Sequence, residues 1–146
     1  MKIAKLPETK LRQYVEQKMR EHWMMTWHED REITPGVPDL HYVMKGSEEH
    51  RVGWLELKAI DTRITKTQRI GVEPSQHQYL RRWLPYMPIH FLVRIQEKIY
   101  VVPGAHHREL SCACSDMDMK LLSLIDFEQS QIAEVLPPFL REITRI

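Results

Sequence analysis

Glycine and cysteine are scarce here, with five Gly and two Cys in 146 residues. No Gly-rich phosphate loop is present, and neither G-x-S-x-G nor H-E-x-x-H occurs, which removes P-loop nucleotide chemistry, the serine-hydrolase elbow and the helical zinc-peptidase site from consideration. Two cysteines imply no disulfide framework in a chain expected to be cytoplasmic. His106, His107, Cys112 and Cys114 crowd four ligand-type residues together. Cys-x-Cys spacing and adjacent histidines suit a single zinc ion poorly, so reduced cysteines near a loop are the expected state. No apolar run approaches the roughly 18 residues of a membrane span. Met1-Lys2-Ile3-Ala4-Lys5 lacks the apolar stretch of a secretion signal. Repeats and low-complexity tracts are missing too, which argues against a solenoid or scaffold.

What is present reads as ordinary globular material, 42% hydrophobic and 28% charged. The length suits one domain over residues 1–146, with a core at about residues 7–103 and a helical extension at about residues 117–146. The net charge of +1 hides an asymmetry. Residues 58 to 82 carry six basic side chains against two acidic ones, whereas residues 109 to 146 carry seven acids against three bases. Arg63, Lys66 and Arg69 stand in a polar, loop-like part of the basic stretch. They are candidate phosphate contacts, or simply a solvated loop.

Two short stretches carry chemistry. Gly36-Val37-Pro38-Asp39-Leu40 opens one strand, and seventeen residues after Asp39 comes Glu56-Leu57-Lys58, inside the apolar run Trp54 to Ile60. Alternate side chains on a strand share a face, so Glu56 and Lys58 project together while Leu55, Leu57 and Ala59 face the other way. Charges in the middle of an apolar strand ask for a partner or a metal. An isolated Glu-x-Lys is commonly an ion pair on an exposed sheet face; the Pro-Asp element nearby shifts the balance. Asp39 and Glu56, with the Leu57 carbonyl, offer the hard oxygen donors that Mg2+ or Mn2+ prefer. Lys58 then stands where it can orient a water or offset charge developing on a phosphate.

Pro7 and Glu8 suit the first turn of a helix expected to run to about Trp27, with Leu11, Tyr14, Val15, Met19 and His22 on its apolar stripe. Glu8 lies within that stripe and Glu16 at its edge. Residues 38 to 45 and 51 to 60 read as strands joined by the polar turn Gly46-Ser47-Glu48-Glu49-His50. His41 shares the face of Asp39 and reads as a structural histidine. Pro74 opens a second helix, whose Gln76, Tyr79, Leu80 and Trp83 share one face, so that Gln76 points at the sheet. Residues 89–95 and 98–102 form a β-rich pair. Residues 117–127 and 129–143 are expected as two helices, the second interrupted at Pro137-Pro138. The fold class is therefore α/β: a central mixed sheet flanked by helices, α-β-β-α-β-β in its core, with C-terminal helices.

Through Gly36-Val37-Pro38-Asp39-Leu40, Trp54-Leu55-Glu56-Leu57-Lys58-Ala59 and Pro74-Ser75-Gln76, the chain resembles the PD-(D/E)xK nuclease superfamily. Within it, the order and compact spacing resemble the VRR-NUC group of small phage and bacterial nucleases, over roughly residues 8–95. The resemblance implies a restriction-endonuclease-like domain. It also implies Mg2+-dependent DNA cleavage, with Asp39, Glu56 and the Leu57 carbonyl as metal ligands and Lys58 assisting. Gln76 would help order the site. An additional helix carboxylate, holding a second metal or a metal-bound water, would be Glu8, which otherwise is a first-turn acid favoured by the helix dipole. Branched, junction or flap DNA is the implied substrate, a homodimer the form suited to cutting two strands, and the cytoplasm of a bacterial or phage-infected cell the expected setting. The alternative is an inactive nuclease-fold module that binds DNA or a partner.

Overall fold

The computed structural model describes residues 6–29, 35–46 and 51–144. The N-terminal segment Met1–Lys5 and the turn residues Ser47–His50 lie outside the described residues. One six-stranded sheet runs in order β1 (Trp23–Trp27), β2 (Leu40–Met44), β3 (Val52–Ile60), β4 (Ile89–Ile95), β5 (Lys98–Pro103), β6 (Ile125–Glu128). Only the β3 to β4 pairing is parallel, crossed over by helix α2 (Pro74–Trp83); every other neighbour is antiparallel. The sheet is thus mixed, as expected.

Helices cover both faces. On one, α1 (Leu6–Met19) and α5 (Ile132–Ile143) pack Leu11, Val15, Met19, Leu136 and Leu140 against Leu55, Leu57, Ala59 and their neighbours. On the other, α2, α3 (His107–Cys112) and α4 (Asp116–Leu122) close over Phe91, Val93, Tyr100 and Val102. The alternation along β3 sorts its residues between these two layers: Leu55, Leu57 and Ala59 enter the first, Trp54 and Ile60 border the second.

Three expectations are corrected. The first helix ends at Met19 instead of near Trp27; His22 N–H donates to the Met19 carbonyl at 2.9 Å and the chain turns into β1. Of this segment Trp23, Thr26 and Trp27 favour a strand, whereas Met24 and Met25 do not. As a strand it sets Trp23 on Tyr42 with ring centroids 4.4 Å apart and lets Trp27 Nε1 donate to Glu16 Oε2 at 2.7 Å. The expected helix over 117–127 also stops early, because α4 ends at Leu122 and Ile125–Glu128 joins the edge of β5 as β6. Finally, α5 runs through Pro137-Pro138 without a break. Proline removes a helix hydrogen bond; burial of Ile132, Leu136 and Leu140 on one stripe holds the helix together regardless.

Gly53 shows how side-chain packing constrains the hairpin. It faces Tyr42 across the β2 to β3 register, and a Cβ there would collide with the Tyr42 ring. The aromatic ring covers the glycine backbone, a known way of holding register.

Candidate active site

β2 and β3 pair only from Leu40↔Leu55 to Val43↔Val52. Beyond Leu55 the two strands part while β3 stays paired with β4 through Ile60↔Ile95. The Leu57 N–H, left without a β2 carbonyl, donates instead to Asp39 Oδ2 at 2.7 Å. In an extended strand a residue's N–H and C=O leave on the same side, so the Leu57 carbonyl also points into the fork. The Asp39 carbonyl is itself tied back to β1 by His28 N–H at 2.8 Å. The site is therefore made by strand divergence.

On the α2 side of β3, Glu56 and Lys58 are 5% and 6% exposed. Gln76 joins them: its Nε2 donates to Glu56 Oε1 at 2.8 Å, and Lys58 Nζ donates to its Oε1 at 2.8 Å. Lys58 Nζ also lies 3.8 Å from Glu56 Oε1. The Glu73 N–H donates to the same Gln76 oxygen at 3.0 Å, within a capping box that starts α2. One amide thus serves both the helix start and the buried ion pair. Glu73-Pro74-Ser75-Gln76 displays that box in sequence, and Glu73 is a residue the motif reading missed.

Gly36 locks the Pro-Asp loop to this helix. Its φ is +83°, and a Cβ there would overlap the Ser75 carbonyl oxygen. Gly36→Ala is expected to cost about 2–4 kcal/mol, from left-handed strain plus overpacking. That corresponds to a melting temperature lower by roughly 5–15 °C. A thermal melt equal to the parent's would mean the loop does not seat on α2.

The charges are unbalanced. Burial raises the pKa of Asp39, opposed by the Leu57 N–H, a hydrogen bond from Glu56, and the positive charges of Lys58 and Arg12. Burial also raises Glu56 well above the usual carboxylate range; the Asp39 charge adds to this, as does Glu8 from farther away. A half-buried carboxyl and a buried one in mutual hydrogen-bonding contact require a proton or a cation between them. The oxygen donors of Asp39, Glu56 and the Leu57 carbonyl fit a hard divalent cation. No cluster of three or more His, Cys, Asp or Glu side chains is set to hold a metal among the described residues. Such a two-carboxylate set suits Mg2+, which keeps several waters.

These groups line a cleft of about 790 Å³, together with Glu8, Thr9 and Arg12 from α1, His28, and residues 71–74. Glu8 reaches the cleft; Glu16 is held by Trp27 instead. Arg63, Lys66 and Arg69 are exposed on the loop between β3 and α2, anchored by buried Ile64 and Ile70, and this loop returns to the cleft at Gly71. Arg12 and His28 were not singled out in sequence, since neither belongs to a motif. His107 meets His77 across α2 and α3, with Nδ1 atoms 2.5 Å apart, and Cys114 contacts Asp118. The four ligand-type residues near position 110 thus have separate partners or exposure and do not converge.

No protein-family model matches this sequence, and no curated protein matches it. No helix among the described residues is long and apolar enough to cross a membrane.

Proposed function

We propose that the chain is a Mg2+-dependent DNA endonuclease of the PD-(D/E)xK type, with the motif order of the VRR-NUC group and with Mn2+ as a substitute. In this reading α1, the sheet from β2 to β5 and α2 are a restriction-endonuclease-like core. The observation that carries it is the meeting of Asp39, Glu56, Lys58 and Gln76, from three separate stretches of sequence, at one cleft.

Asp39, Glu56 and the Leu57 carbonyl would hold a divalent cation, which would supply Lewis acidity toward the phosphoryl group and an activated water. Lys58 brings a fixed positive charge to the place where negative charge grows on the phosphate. Gln76, bonded at both ends, aims that ammonium and holds the Glu56 carboxylate. The Leu57 N–H orients Asp39, and Glu8 adds a carboxylate at the cleft wall. Arg63, Lys66 and Arg69 take the flanking phosphates, contacts that position DNA without reading sequence and weaken steeply with salt. Branched, junction or flap DNA is the proposed substrate. Cutting of both strands calls for a two-fold homodimer, since each chain carries one such site.

The test is incubation of the protein with labelled linear, flapped and four-way-junction DNAs in Mg2+, Mn2+ or EDTA, beside Asp39→Ala as a control for contaminating nuclease. Metal-dependent cutting by the parent alone supports the reading. Salt-sensitive binding without cutting in either metal overturns it in favour of an inactive binding module.

A further inference from the structure

The helices on the α2 side cover only part of the sheet. The core beneath α2, α3 and α4 is built from β3, β4 and β5 and contains no residue of β1 or β2. The β1 and β2 side chains on that face are correspondingly open: Met24 is 64% exposed, Thr26 is exposed, and His41 and Val43 are half-buried. None of these four residues belongs to either apolar cluster or packs against one.

At the inner margin of this open face stands a stack of three rings. His41 and Trp54 are cross-strand partners, with centroids 4.5 Å apart and planes 17° apart. His28 stacks on Trp54 at 5.4 Å and 24°. All three are half-buried, and His28 Nε2 has no hydrogen-bond partner among the described residues. His28 also lines the cleft. The stack is continuous with the carboxylates along the chain: Trp54 is two residues before Glu56 on β3, and His41 on β2 is two after Asp39, which immediately precedes that strand. That separation is about 7 Å.

A stack of aromatic rings that ends at an open sheet face suits bases that have left their own stack, because an unpaired base can add its π-face to the open end of that stack. Bases inside a duplex are already stacked on one another and do not present that face. Continuity with the carboxylates favours the substrate strand as occupant over an unrelated protein. We propose that His28, Trp54 and His41 form a platform for an unpaired nucleobase beside the scissile phosphate, so that the part of a flap or junction substrate held at the site is its single-stranded or locally opened strand. This rests on the nuclease reading above. The basic loop, which reaches the cleft at Gly71, then holds the strand's phosphates.

The experiment measures binding of fluorescein-labelled single-stranded DNA by anisotropy in EDTA, for the parent, Trp54→Ala, Trp54→Phe and His41→Ala. The same strand is then carried through a scan with one abasic nucleotide at each position. Trp54→Ala is expected to weaken binding on the order of ten-fold, with Trp54→Phe recovering most of the loss. An abasic nucleotide at one position should weaken the parent to a similar extent and leave Trp54→Ala unaffected. Parent binding that ignores every abasic position overturns the platform, even if Mg2+-dependent cutting is intact. Abasic-sensitive binding with no cutting in any metal overturns the nuclease reading and leaves the platform standing. Should Trp54→Ala fail to fold by circular dichroism, the scan on the parent with His41→Ala decides alone.

Discussion

Asp39→Ala is expected to reduce Mg2+-dependent cleavage on the order of a thousand-fold or more, the scale of the several kcal/mol that a bound cation supplies to phosphoryl transfer. In the proposed site the side chain has two jobs: it would offer an oxygen to the cation, and it accepts the Leu57 N–H left over where β2 and β3 part. Asp39→Asn separates them. The amide oxygen keeps the Leu57 hydrogen bond but removes the negative charge that raises Glu56, so this variant should melt at or above the parent's temperature and still lose cleavage and Mn2+ binding. Single-turnover cleavage and calorimetric Mn2+ titration check both halves. If Asp39→Asn cuts at the parent's rate, the carboxylate is not a ligand and the site assignment fails.

How far the sequence anticipates the molecule depends on how locally each feature is encoded. The strand holding Glu56 and Lys58 is legible because strict alternation inside a β-branched and aliphatic run leaves one reading, and Pro74 marks the start of α2. The extents of β4 and β5 follow from long apolar β-rich runs. β1 is not legible: Met24 and Met25 are good helix formers, no Gly or Pro separates them from α1, and only pairing with β2 over five residues makes the segment a strand. β6 fails likewise, four residues long and stabilised by the edge of β5. In α5 the paired prolines argue for a break, yet tertiary burial of its apolar stripe outweighs the lost backbone bonds.

The site divides the same way. Asp39, Glu56, Lys58 and Gln76 announce themselves by residue type in an unexpected place: three buried polar groups and one half-buried carboxylate that need partners. What joins them is nonlocal: the strand fork that exposes the Leu57 amide, the contact of Gly36 with Ser75, and the open face beside Trp54. His41, expected as a structural histidine, lies in the Trp54 stack because β2 and β3 pair in a particular register. Nothing in its immediate neighbours encodes that.

Glu56→Gln is expected to move activity and stability in opposite directions. Loss of the ligand charge should lower cleavage by at least a factor on the order of a hundred. In EDTA, however, the parent holds a buried carboxyl whose pKa is raised, first by burial and next by the Asp39 charge. A carboxyl with a folded-state pKa above its unfolded value contributes stability at low pH, and that contribution disappears as pH rises through the folded-state value. The parent's melting temperature in EDTA should therefore fall as pH climbs from acid through neutral, and Glu56→Gln should show a flatter profile. Glutamine can still accept the Gln76 Nε2 proton and can donate to Asp39, leaving Asp39 opposite Lys58 as one negative charge against one positive. At pH 8 the variant should be more stable by about 1–3 kcal/mol, or roughly 3–9 °C. Added Mg2+ should raise the parent's melting temperature at pH 8 more than the variant's, because cation binding relieves the same repulsion. A Glu56→Gln protein that melts below the parent at pH 8 in EDTA would show that Glu56 stabilises the fold through its ion pair with Lys58, and would end the case for a strained acidic site. The expected ordering, less active and more stable, is what a site held under electrostatic strain for cation binding requires.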